Sequence, residues 1–182
     1  MYRLEATVTY APGCTETIRR YIRDQGTCFL TLGNPVVTNA DSGSRRIGTV
    51  TYTVSNPTGE ALTIKGIKVD WTRVAMPALS TLREIEFSNG TSTTTQSVSL
   101  NTPPSTGVLT VSPTPPTISA NTTTYEIRFN FDLGQKNQVG TTDLLASPIS
   151  SICIQYTAPS FGGTTASCNV LGATSGNPNA CN

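Results

Sequence analysis

Glu84 and Glu86 stand two residues apart in LREIEFSNG, the spacing that sets two carboxylates on one face of a β-strand. A carboxylate pair is the apparatus of a glycosidase, one acid and one base or nucleophile. Alternation with Ile85 and Phe87 accounts for the same two residues more simply, as the solvated face of a half-buried strand. The chain has no histidine, which removes Ser-His-Asp and Cys-His catalysis together with histidine metal ligation. Its five cysteines, Cys14, Cys28, Cys153, Cys168 and Cys181, form no C-x-x-C pair of the zinc-binding kind. Neither a Gly-rich phosphate loop nor a calcium loop occurs. No catalytic residue, metal or cofactor is expected. Arg19, Arg20 and Arg23 lie beside Glu16 and Asp24 and read as local ion pairs rather than an anion site. Trp71, at the end of an apolar run, is either core or a platform for a sugar ring, with Phe161 as a loop aromatic for such a binder.

Bulk properties narrow the classes further. A chain of 182 residues reads as one domain, 1–182, that buries roughly 70% of its unfolded surface. Charged residues make up 13% and the net charge is +1, against a usual charged share of ~25%. This neutral, hydroxyl-rich surface has no basic footprint for nucleic acid. No run approaches the roughly 20 apolar residues of a membrane span, and the N-terminus lacks the basic and apolar regions of a secretory signal. Direct membrane contact is therefore not expected. The cysteines, together with the sequons Asn89-Gly90-Thr91 and Asn121-Thr122-Thr123, indicate an oxidising, extracellular or cell-surface setting, with an export signal or anchor removed and glycans on Asn89 and Asn121.

The elements that would position these residues are almost all strands. Residues 2–10 alternate Tyr2, Leu4, Ala6, Val8 and Tyr10 against Arg3, Glu5, Thr7 and Thr9, a strand at the very start of the chain. TETIRRYIRDQG carries the one helix-period pattern and predicts a short helix near 15–25 with Thr15 as N-cap and Gly26 as terminator. Such a helix holds Cys14 and Cys28 about 15 Å apart, beyond the roughly 7 Å a disulfide spans. One of them must then look elsewhere, with Cys153 a candidate, whereas a hairpin would make a Cys14–Cys28 bridge easy. RIGTVTYTVSN buries Val50, Tyr52 and Val54. ALTIKGIKVDW switches parity after Ile64, and a β-bulge at Lys65-Gly66 returns Ile67, Val69 and Trp71 to the face of Leu62 and Ile64. LREIEFSNG ends in the turn dipeptide Asn89-Gly90.

The Thr, Ser and Pro-rich stretch 91–123 reads as edge strands and loops rather than a glycosylated stalk. TYEIRFNFDL is the clearest strand, with Tyr125, Ile127, Phe129, Phe131 and Leu133 inward, and belongs at the centre of the core. SSICIQYTA sends Ile152, Ile154 and Tyr156 one way. The charge-poor tail 158–182 needs a tether, and a Cys168–Cys181 disulfide supplies one worth on the order of 3 kcal/mol. Eight or nine short strands define an all-β, two-sheet antiparallel sandwich of Ig-like or jelly-roll-like type.

GTVTYTVSNPTGEALTIKGIKVDW, LREIEFSNGT and PTISANTTTYEIRFNFDL, across residues 46–133, resemble the β-rich exported domain of bacterial filament subunits, including pilin-like proteins trimmed of their anchoring helix. The resemblance implies a structural, non-enzymatic subunit of an extracellular filament or pilus-like appendage whose partners are copies of itself or related subunits. In other extracellular filaments an N-terminal strand of one subunit completes the sheet of the next. Residues 1–13 are such a donor or else a strand of their own domain, and Leu4, Val8 and Tyr10 are the assembly contacts. A secreted adhesin or carbohydrate-binding module and a viral coat or decoration protein are the alternatives.

Overall fold

Alternation of the kind seen in TYEIRFNFDL needs a buried sheet face to be satisfied, and the chain supplies two sheets packed face to face. A computed structural model describes residues 2–11, 14–22, 28–72, 81–100, 109–111, 115–137, 143–172 and 181, with 2–6, 10, 14–16, 18–22, 98–100 and 161 described by backbone alone. The larger sheet runs in the order β3 (Thr31–Leu32), β5 (Arg45–Asn56), β11 (Thr122–Gln135), β7 (Thr81–Ser88), β8 (Thr93–Leu100), with β4 (Val36–Ser42) also on β5. The smaller sheet runs β10 (Thr117–Ile118), β6 (Leu62–Trp71), β12 (Ile149–Thr157), β13 (Ala166–Leu171), with β9 (Leu109–Thr110) also on β6. All pairings are antiparallel. The expected all-β sandwich is what the chain forms.

β11 is central, between β5 and β7, and buries the five residues of its apolar parity. Phe129 packs edge-to-face on Tyr52, with centroids 6.1 Å apart, and Phe131 meets Trp71 at 6.2 Å. The first pair joins neighbouring strands of the larger sheet, while the second ties that sheet to β6 of the smaller one, through the core that Leu62, Ile64, Ile67 and Val69 complete. The β6 bulge lies where its parity switch requires it: opposite Gln155 and Tyr156 stand Gly66 and Ile64, leaving Lys65 as the extra residue. Asn56 is buried and fully engaged. Its amide donates to the carbonyls of Glu60 and Ser119 at 3.0 Å each, and its Oδ1 accepts from the Thr58 amide at 3.1 Å. One side chain thus fixes both the 57–61 turn and the approach to β11, since a buried amide without such partners costs about 1–3 kcal/mol.

The predicted helix near 15–25 is instead a strand. β2 (Cys14–Ile22) pairs with β1 (Tyr2–Ala11) from Tyr2↔Ile22 to Ala11↔Cys14. Nine helical residues are marginal on their own, and Thr15, Thr17, Ile18 and Ile22 are β-branched, losing side-chain freedom in a helix but not in a strand. A partner strand joined through Pro12-Gly13 decides the matter. β4 has no clear sequence signature, because its exposed edge alternates weakly. Its cue is the turn at 43–44, where Gly43 adopts φ +60°, a conformation that glycine reaches without strain.

The predicted Cys168–Cys181 bridge is also corrected. Cys28 is bonded to Cys168 and Cys153 to Cys181. Strand parity is the reason. Cys168 lies opposite Ile154 and joins the core between the sheets, whereas Cys153 lies opposite Asn169, one residue out of phase and therefore on the other face. Cys181, on that outer side, meets Cys153. Cys28 leads into β3 of the larger sheet, so its bond to β13 crosses from one sheet to the other. The alternatives that placed Cys28 with Cys14 or Cys153 are likewise replaced. Cys14 itself is described by backbone alone.

Tyr52 and Tyr125 are 2% and 3% exposed, and burial pushes both phenols up from their ordinary value. Protonated phenols therefore favour the folded state. The contribution is complete below about pH 10, where the unfolded phenols remain neutral, and is lost as pH rises above it. Each group is expected to lower stability by up to about 1.4 kcal/mol per pH unit there. Urea midpoints measured across the alkaline range check this, with Tyr125→Phe flattening the decline.

Candidate functional site

The two strands at the N-terminus form a sheet of their own. Among the described residues neither β1 nor β2 is hydrogen-bonded into either layer of the sandwich. Leu4 stands opposite Arg20, Ala6 opposite Ile18 and Val8 opposite Glu16, while Glu5 faces Arg19 and Thr7 faces Thr17. Opposed residues share a face, so one parity of the ribbon joins Tyr2, Leu4, Ala6, Val8, Ile18 and Ile22 with Arg20 and Glu16, and the other joins Arg3, Glu5, Thr7, Thr17 and Arg19 with Tyr21. Tyr10 falls at the register shift between Thr9 and Ala11, which takes it out of strict alternation. Val8 is half-buried, and Leu4 and Tyr10 are described by backbone alone. An isolated two-stranded hairpin is at best marginally stable in water.

The larger sheet ends in edges of unusual composition. β8 is its outermost strand, and Thr93–Leu100 contains no charge and no proline, the devices by which edges are ordinarily blunted against further pairing. At the opposite side β4 exposes Val36 to 59%.

The outer face of this sheet carries Glu84 and Glu86. Register sets Thr38, Thr49, Asn130 and Glu84 in one row and Val36, Thr51, Arg128 and Glu86 in the next. Thr49 donates its hydroxyl hydrogen to Asn130 Oδ1 at 2.8 Å, and Asn130 Nδ2 donates to Glu86 Oε1 at 2.8 Å. Arg128 donates through Nε to Glu126 at 3.0 Å and faces Glu86 at 3.6 Å, and Arg83 lies 3.6 Å from Glu84. Both glutamates point away from Ile85 and Phe87, as alternation requires, and each meets an arginine. At one end, Arg46 donates to Asp143 and Asp41 at 2.7 and 2.9 Å, and its hydrogen bonds hold the Asp143 carboxyl below the ordinary carboxylate range.

Trp71 is 3% exposed and packed on Phe131, which places it in the core and removes it as a sugar platform. Phe161 closes a 3-10 turn and is described by backbone alone. Asn89 and Asn121 are exposed at turns. Asn89 Oδ1 accepts from the Thr91 and Ser92 amides at 2.9 and 2.8 Å, and Asn121 has φ +52°. Among the described residues there is no group of three or more His, Cys, Asp or Glu positioned to hold a metal ion, and no helix is long and apolar enough to cross a membrane.

These features define an antiparallel sandwich stapled by two disulfides, with a separate N-terminal ribbon. No family model, curated protein or solved structure matches the chain.

Proposed function

We propose that the protein is a non-enzymatic structural subunit of an extracellular filament or pilus-like appendage, built by strand addition between copies. The observation that carries this reading is the β1–β2 ribbon, which among the described residues pairs with neither sheet of its own chain. A two-stranded ribbon that is marginal alone gains stability by docking, and main-chain pairing to an exposed sheet edge is a recurring mode by which extended segments dock. β8 is the acceptor edge. Its eight residues extend about 27 Å and are matched by the ten residues of β1 at about 34 Å. Donor and acceptor surfaces differ, so the contact is heterologous and propagates into an open polymer unless the rotation closes. The two disulfides fit an oxidising compartment outside the cell.

Electron microscopy of the purified full chain is expected to show fibres. Deleting residues 1–11 removes β1 and is expected to leave particles of single-subunit size that retain a β-type circular dichroism spectrum. A full chain that stays monomeric at high concentration, or a truncated one that polymerises like the parent, refutes the proposal.

A further inference from the structure

A concavity of about 640 Å³ lies on the outer face of the larger sheet, lined from β4, β5, β11 and β7. That volume is within the range of small-ligand sites. The register shift opposite Asn130 and Phe131 places both Arg83 and Glu84 on its outer side. The groups lining it are oriented without being saturated. Asn130 is held at both ends of its amide, by Thr49 and Glu86. A carboxamide offers two donors and two acceptor lone pairs, so one of each remains for a ligand. Arg128 is anchored on Glu126 and Glu86 and has N–H groups to spare among its five.

Charge decides the class of ligand. Arg83 and Arg128 are balanced by Glu84 and Glu86, so an anion meets carboxylates and a cation meets guanidiniums. An uncharged polyol meets neither penalty, and its vicinal hydroxyls match alternating donors and acceptors. Ile47 and Ala40 also line the concavity, giving apolar contact for the C–H face of a sugar ring. We infer that this concavity is a binding site for neutral oligosaccharides, recognised by Asn130, Arg128 and Glu86. The lining has no aromatic platform, so affinity is expected in the millimolar range. The inference is independent of how, or whether, the chain polymerises.

Saturation-transfer difference spectra of the full chain with cellobiose, maltose, lactose and diacetylchitobiose test it, because they read the sugar whatever the size of the protein. At least one of the four is expected to show saturable transfer. Asn130→Ala is expected to weaken that binding tenfold or more. Thr38→Arg, which places a long side chain at the exposed rim, is expected to do the same without touching the central hydrogen bonds. Melting curves of both variants establish that they are folded. The inference is overturned by no saturable transfer with any of the four sugars, by unchanged affinity in the folded variants, or by glucuronate binding more tightly than all of them.

Discussion

Replacing Cys28 and Cys168 together by serine is expected to lower the stability of the fold by about 5 kcal/mol, the largest effect of any change considered. The bond closes a loop of 140 residues, and in the chain-entropy model the cost of that closure is removed from the unfolded state, rising with the logarithm of loop length. The Cys153–Cys181 bond closes 28 residues and is worth about 3.5 kcal/mol on the same basis. A domain of this size loses roughly 2–4 °C of Tm per kcal/mol, so the first pair is expected to lower Tm by about 10–20 °C and the second by clearly less. Denaturant titrations of the two double variants check the order. Equal losses would show that the bond between the sheets acts through strain or packing rather than loop closure. Cys168, Cys153 and Cys181 are all buried, so reductants are expected to act slowly on the native state and quickly once it is opened by denaturant.

Phe129→Ala is expected to cost about 3–5 kcal/mol, the range for removing a fully buried aromatic side chain. Phe129 is 0% exposed on the central strand, stands between Val50 and Ile85 in register and makes the edge contact with Tyr52. Neighbours on both flanking strands are fixed by their own ladders, so the space cannot collapse readily. Phe129→Leu keeps most of the volume and is expected to lose much less. Urea midpoints for both variants decide it. A Phe129→Ala loss below about 1 kcal/mol, the level of ordinary surface changes, would mean that the core around this ring is not closely packed.

The interior was readable residue by residue. Strict alternation identified the inward residues of β5, β11 and β12, and the parity switch in ALTIKGIKVDW located the β6 bulge, because a half-buried sheet forces period two on any sequence that occupies it. Asn89-Gly90 marked its turn for a similarly local reason, with Gly90 at φ +84°. β2 is ambiguous in sequence because Ile18, Tyr21 and Ile22 fit a helical face as well as a strand, and the deciding partner lies in β1. The concavity was not legible either. Glu84 and Glu86 showed as a pair, but Thr49, Arg128 and Asn130 come from strands far apart in sequence and meet only through the ladder. Asn56 gave no sequence signal at all, since its partners at Glu60 and Ser119 lie on two different turns.

From composition and pattern alone the chain was committed to two antiparallel layers with a hydroxyl-rich exterior, since those depend on each residue's own preference for water or for a pleated face. Disulfide pairing, the separation of the ribbon from the sandwich and the grouping of polar side chains on one face were decided by tertiary structure. Each depends on which strands become neighbours and in what phase, and a one-residue change of phase carries a side chain to the opposite face of its sheet.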